Sequence, residues 1–372
     1  MTGSTHRVAI IGAGIVGLAH AWLASLRGDT VTVYERDTQA AGASVRNFGF
    51  GLALGQAPGE LYEMAIHSRA MWLEFFSETD CWHKTEGSLT VARTPAELAV
   101  LEAFQSECGA AYGTSLMHGS AVAEHHATGL GGLFSRTEIG MESRYAIGVL
   151  ADWLAVRHGV RFEYGVQIQN IDLPKLHSSA GIRYADQAIV CSGHEFQTLY
   201  PQHYAGLGIQ RCALQMLRVA NPGIQLAPTL MTGLSTLRYE AFTQCPALAA
   251  PLAALRAEVG QNTPELIKHG IHLIVQQVGK QGDLLIGDSH RYTDAADTVS
   301  PFTRNDIDQL ILDLAEDLLG RPLAVLERWQ GVYASGPHAY ELIYPAENVS
   351  GVVITGGTGM SIAFALAKKN LS

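Results

Sequence analysis

The stretch Arg7-Val-Ala-Ile-Ile-Gly-Ala-Gly-Ile-Val-Gly17, followed by an apolar run and then by Thr30-Val-Thr-Val-Tyr-Glu35, decides how this chain folds. It predicts a buried strand over 7–11, a helix over about 15–27 and a second strand over 30–35. Gly12 permits a tight turn out of the first strand. Gly14 lets a pyrophosphate approach the backbone, and Gly17 lets the helix pack closely on the sheet. The turn Gly12, Ala13, Gly14, Ile15, Val16 and Gly17 is the candidate cradle, where phosphates would sit on unpaired N–H groups at the positive end of the helix dipole. Glu35 lies 18 residues past Gly17. A carboxylate there would hydrogen-bond the adenosine ribose hydroxyls and repel a 2′-phosphate, and Arg36 follows it directly. A glycine triplet alone is weak evidence. With the strand before it, the helix after it and the acid at this distance, it marks a dinucleotide site.

The chain has 372 residues, of which 47% are apolar and 16% charged. That is material for two coupled subdomains with packed interiors, with little sign of disorder. A net charge of −10 argues against a nucleic-acid partner while leaving room for a local basic pocket. The five cysteines, at 81, 108, 191, 212 and 245, form no C-x-x-C pair. An odd number of them suits free thiols in a reducing compartment. Residues 1–6 lead straight into the first strand without room for a signal peptide, and no run of about 18 apolar residues offers a membrane span. The expectation is a soluble, cytoplasmic protein that needs no metal.

Residues 37–57 read as irregular and glycine-rich. Pro58 opens a helix whose Leu61, Met64, Ala65, Ser68, Trp72 and Phe75 share a buried face. Strands follow at 87–92 and 160–166, with helices from Pro95 to Glu107 and from Tyr145 to His158. A hairpin-like region runs to Tyr184, and a buried strand at 186–193 ends in a glycine turn. From about 210 to 290 the runs 213–220, 234–242, 272–278 and 283–287 predict a mostly antiparallel sheet. A helix at about 304–319 comes next, and 325–329 returns toward the first domain. Residues 351–361 read as strand, glycine turn and helix. The fold class is α/β: a Rossmann-like domain of 1–85, 141–209 and 322–372, interleaved with an α+β lobe of 86–140 and 210–321 that would bind substrate.

Nicotinamide and flavin dinucleotides share the opening motif. A helix N-terminus after 352–359 would favour a reduced, anionic flavin. The chain resembles the D-amino-acid-oxidase and glycine/sarcosine-oxidase family of FAD-dependent amine oxidoreductases along essentially its full length. The resemblance rests on Ile11–Gly17 with Glu35, on Glu86-Gly-Ser-Leu-Thr-Val-Ala92, on Ile189-Val-Cys-Ser-Gly193, on Leu284-Leu-Ile-Gly287, and on Trp329-x-Gly with Gly357-Thr-Gly-Met360. It implies one FAD between the two lobes, touched by Ser44, Arg46, Asn47, Phe48, Val166, Cys191, Gly193, Gly357, Thr358, Gly359 and Met360 besides the opening turn. It also implies hydride transfer to the flavin from the carbon beside an amine. Hydrolysis of the resulting imine then gives a carbonyl and an amine, and oxygen or an electron carrier reoxidises the flavin. The alternative from the opening motif alone is an NAD-dependent dehydrogenase.

Two positions depart from the family pattern. Tyr333 stands where amino-acid oxidases of this kind carry the arginine that clamps a substrate carboxylate. Gly331 stands where sarcosine oxidases carry a flavin-tethering cysteine, so the FAD is expected to be non-covalent. Ser44-Val-Arg-Asn-Phe-Gly49 and Gln330-Gly-Val-Tyr-Ala-Ser335 are similar to a subgroup that accompanies aminophosphonate catabolism. A phosphonate head would want several cationic or N–H donors. The candidates are Arg46, Arg238, His290, Ser335 and His338, with Tyr333 beside them. The implied substrate is 2-aminoethylphosphonate or its N-methyl form, the alternative being glycine, sarcosine or a D-amino acid.

Overall fold

The computed structural model describes residues 6–372. Arg7–Ile11 and Thr30–Glu35 are strands, rich in β-branched and apolar residues, inside a parallel array. Across that array the order is Arg161–Tyr164, Thr30–Glu35, Arg7–Ile11, Gln187–Val190 and Val349–Gly356, all parallel. Helices Ile15–Leu26 and Gly359–Leu371 pack against each other. The buried Trp22 ring sits 5.4 Å from Phe364, centroid to centroid. Each helix starts directly after a strand of the array, so both N-termini lie at its carboxyl edge, where open α/β sheets bind their ligands.

The second lobe is built on Gln210–Val219, Asp283–Gly287 and Ile274–Val278, which pair antiparallel. One strand joins the lobes. Val325–Ala346 pairs with Gln210–Val219 along its first half and with Val349–Gly356 along its second, with a break in register between Ser335 and Tyr340. The result is a single 14-stranded sheet.

Most of the expected elements form close to where the sequence places them, including Pro95–Glu107, Asp283–Gly287 and Asn305–Leu319. The buried face of the helix Glu60–Ser77 carries Met64, Ala65, Ser68, Trp72 and Phe75. The expected strand at 234–242 does not form. A 3₁₀ turn, Gly233–Leu237, and a short helix, Glu240–Thr243, stand there instead. The Thr236 hydroxyl donates to the Gly233 carbonyl at 2.7 Å, and the Ser235 carbonyl accepts from both Arg238 and Tyr239 N–H. Such local bonds compete with a strand ladder. A helix the sequence pattern concealed, Ala249–Asn262, buries only Leu255 and Val259 and so carries almost no amphipathic signal. All five cysteines are free. Among the described residues, no helix is long and apolar enough to cross a membrane.

Candidate active site

A long cleft opens at the carboxyl edge of the parallel array and runs from Glu35 to His290. Its first wall is the glycine turn. Gly12 has φ +111°, and a Cβ there would lie 2.4 Å from the Cys191 carbonyl oxygen. A Cβ on Gly17 would lie 1.9 Å from the Gly12 carbonyl oxygen. Only glycine fits either place. Gly14 caps the opening helix and offers no side-chain acceptor, and the Ser44 hydroxyl reaches across to accept the Ile15 N–H at 2.9 Å. Glu35 accepts from Ala13 N–H at 2.9 Å and from Asp37 N–H at 3.1 Å. Its carboxylate is thereby fixed at the cleft edge, and each oxygen keeps further acceptor capacity for hydroxyls.

Arg36 and Arg46 line this part of the cleft although the chain is acidic. His194, on the cleft wall, is pushed down to about 4 by burial and then by the charges of Arg211, Arg36 and Arg46. Beyond them the second helix begins at Thr358, whose Oγ1 is buried without a hydrogen-bond partner. An orphaned buried hydroxyl costs about 1–3 kcal/mol, so a ligand atom that completes it is expected. Two helix N-termini, an acid for ribose, arginines for a pyrophosphate and an unsatisfied hydroxyl are a donor set that fits FAD. Glu35 would hold the adenosine, the opening helix with Arg46 the pyrophosphate, and Gly357 to Met360 the ring.

Of the residues singled out from the sequence, the cleft brings together Gly12, Gly14, Ile15, Val16, Glu35, Arg36, Ser44, Arg46, Asn47, Phe48, Val166, Cys191, Gly193 and Gly357–Met360. Arg238, His290 and Tyr333 line its other end. Ala13 and Gly17 stand behind the wall, Ala13 bonded to Glu35 and Gly17 packed on Gly12. Asn47 organises the turn, accepting Gly49 N–H at 2.6 Å and donating to the Ala43 and Ser44 carbonyls. Ser335 and His338 do not line the cleft. His338 is exposed, and its carbonyl accepts the Thr355 hydroxyl at 2.6 Å. Both lie in the stretch where the strand's register breaks, between Ser335 and Tyr340.

At the far end Arg238 donates to the Tyr333 hydroxyl at 2.9 Å and to the Tyr292 hydroxyl at 3.2 Å. Burial raises Tyr333 well above its ordinary value, so the phenol stays protonated. Sequence reasoning missed the three neighbours Tyr239, His272 and Asp288, which line the same end. His272 Nε2 lies 3.5 Å from Asp288 Oδ1, and His290 Nε2 lies 3.8 Å from Asp288 Oδ2. Burial pushes Asp288 up to about 7. Burial, followed by the Arg238 charge, holds His272 down to about 3 and His290 well below its ordinary value. One signal was available: in extended chain Asp288 and His290, two residues apart, share a face.

Comparisons with known proteins give the family and the fold. A family model described as FAD dependent oxidoreductase, DAO, matches residues 7–369. No curated protein matches the chain. Among solved structures, glycine oxidase from Geobacillus kaustophilus is 17% identical with a TM-score of 0.75, over 98% of this chain and 93% of its own. L-proline dehydrogenase from P. horikoshii is 15% identical with a TM-score of 0.74, over 98% and 91%. L-α-glycerophosphate oxidase from Mycoplasma pneumoniae, solved with FAD bound, is 15% identical with a TM-score of 0.73, over 99% and 94%. At such identities the likeness is one of fold. The family match makes the cofactor FAD rather than a nicotinamide dinucleotide. The chain belongs to the DAO family of FAD-dependent oxidoreductases.

Proposed function

We propose that this oxidoreductase acts on the C–N bond of a small amine with an anionic head, an aminophosphonate such as 2-aminoethylphosphonate or its N-methyl form. The observation that carries this reading is Arg238, a permanent cation at the end of the flavin cleft, held by two phenols rather than by a carboxylate. Among the described residues no carboxylate forms an ion pair with it, and Asp288 acts on it only at longer range. A guanidinium left in that state calls for an anion from outside.

Bound FAD supplies the redox chemistry by accepting a hydride equivalent from the carbon beside the nitrogen. The chain's own residues bind and orient. Arg238 takes the head group, and Tyr333, whose phenol is protonated, adds a hydroxyl donor at the same place. The Gly357 turn sits against Tyr333, since a Cβ on Gly357 would lie 3.2 Å from its ring. Tyr333 would thereby set the spacing between a head group on Arg238 and a flavin held by the Gly357 turn. Segments 1–85, 141–209 and 322–372 would carry FAD, and 86–140 with 210–321 the amine.

The test is an anaerobic screen of the holoenzyme for bleaching of its visible flavin bands. Glycine, sarcosine, D-amino acids, 2-aminoethylphosphonate and its N-methyl form make the panel. Bleaching by the phosphonates at lower concentrations than by any carboxylate supports the reading. Preferential bleaching by an amino acid replaces it with an amino-acid oxidase or dehydrogenase.

A further inference from the structure

We propose that Asp288 receives the substrate's ammonium group and takes its proton, with His290 as the adjoining acceptor; this rests on the amine reading above. Asp288 is 5% exposed and lines the cleft. Its main chain is fixed, its N–H donating to the His272 carbonyl at 3.0 Å, yet Oδ1 is buried with no hydrogen-bond partner among the described residues. A buried carboxyl oxygen left in that state calls for a donor that arrives with the ligand.

Neither histidine hydrogen-bonds to that oxygen: His272 Nε2 stops 3.5 Å from Oδ1, with its Nδ1 3.1 Å from the Ser235 hydroxyl. His290 Nδ1 lies 2.8 Å from the Gly270 carbonyl, which only accepts, so Nδ1 carries the ring proton. The neutral ring therefore presents a lone pair on Nε2 toward Asp288 Oδ2, at 3.8 Å. Two acceptors facing each other are satisfied when a proton or a cation comes between them. The remaining groups around Asp288 give no proton near neutral pH. Tyr239 and Tyr333 are buried phenols pushed up, and the Cys212 thiol is pushed up by burial to about 11. His272 is held neutral, and Arg238 donates to Tyr333 and Tyr292 rather than to Asp288. A zwitterion answers both ends, its anion on Arg238 and its ammonium on Asp288.

The step balances within the substrate and this side chain. The ammonium N–H bond breaks, an O–H bond forms on Asp288 Oδ1, and the electron pair stays on nitrogen, where it assists loss of hydride from the neighbouring carbon. An alkyl amine with a pKa near lysine's ~10.4 is unprotonated in only about one molecule per few thousand at pH 7. Without an internal acceptor, that small fraction limits the reaction.

Rapid-reaction flavin reduction of the holoenzyme, followed against pH with the best bleaching amine, tests this. In the wild type, the second-order reduction rate should rise across neutral pH and level off. In Asp288→Asn it should fall by about 100–1,000-fold at pH 7, as the free-amine fraction dictates, and recover toward the wild-type rate in alkali. A wild-type pH profile in the variant, or an equal loss at every pH, would overturn the assignment. A second measurement needs no variant. Trimethylated 2-aminoethanesulfonate has no titratable group, and its binding can be followed through the wild-type flavin spectrum. Affinity should tighten about tenfold per pH unit on approaching neutrality and be flat above it; pH-independent binding would contradict the proposal. A wild type that no amine bleaches, while still binding this zwitterion in a pH-dependent way, refutes the amine reading and the proton step together. Bleaching with unaltered pH behaviour refutes only the role of Asp288.

Discussion

Arg238 Nη2 donates to the Tyr333 hydroxyl at 2.9 Å, which ties a turn of the second lobe to the strand that crosses both lobes. The Tyr333 ring in turn abuts Gly357, at the start of the turn into the C-terminal helix. The cation and the Gly357 turn are therefore linked through one phenol.

Removing the cation should show in substrate affinity. A hydrogen bond to a charged group contributes about 1.5–3 kcal/mol. Arg238→Met is expected to raise KM by roughly 10–100-fold, with kcat changed far less. Tyr333→Phe should cost only a few-fold. Steady-state kinetics on both variants decides it, and an unchanged KM in Arg238→Met would remove the anion anchor.

The glycine turn admits no side chain. In Gly12→Ala the new methyl would lie 2.4 Å from the Cys191 carbonyl oxygen at a φ of +111°. The purified variant should contain little or no FAD, read from the ratio of visible to protein absorbance. In the wild type Gly331 offers no thiol near the Arg46 carbonyl, so acid denaturation should release all the flavin into the supernatant.

Thr358 provides the complementary test. Its Oγ1 has no partner among the described residues, so Thr358→Val should leave the apoprotein as stable as before or slightly more so. Loss of a hydroxyl contact of about 1 kcal/mol should weaken FAD binding about five-fold. Thermal unfolding of the apoprotein and titration with FAD check the two halves separately.

Asp288 should leave a signature in stability as well. Burial lifts its carboxyl from 3.8 to about 7. Between those values the folded chain holds a proton that the unfolded chain has lost, so this residue's contribution falls as pH rises through that window and is constant above it. The buried His272 and His290 act oppositely, losing stability as pH drops below their ordinary 6.5. The difference in apoprotein Tm between the wild type and Asp288→Asn isolates the carboxyl. It should shift against the wild type from about pH 4 to pH 7.

The dinucleotide half was legible because its signals are local. Gly12, Gly14 and Gly17 fall at fixed offsets after one strand, and Glu35 ends the next. The amine half was less so. Asp288 and His272 meet because Gly287 pairs with Ile274 across two antiparallel strands, a register no short window of sequence states. His338 was misplaced for a related reason, since the strand Val325–Ala346 changes partner near Ser335. Arg238 was found, but within an expected strand that the Thr236 side chain converts into a turn.

The most direct test of an anionic-amine oxidoreductase is anaerobic titration of the purified holoenzyme with N-methyl-2-aminoethylphosphonate, followed at the visible flavin bands. Full bleaching, with Arg238→Met requiring far more of the compound, is the expected result. A flavin that stays oxidised with this compound and with 2-aminoethylphosphonate, but is bleached by glycine or sarcosine, would contradict it.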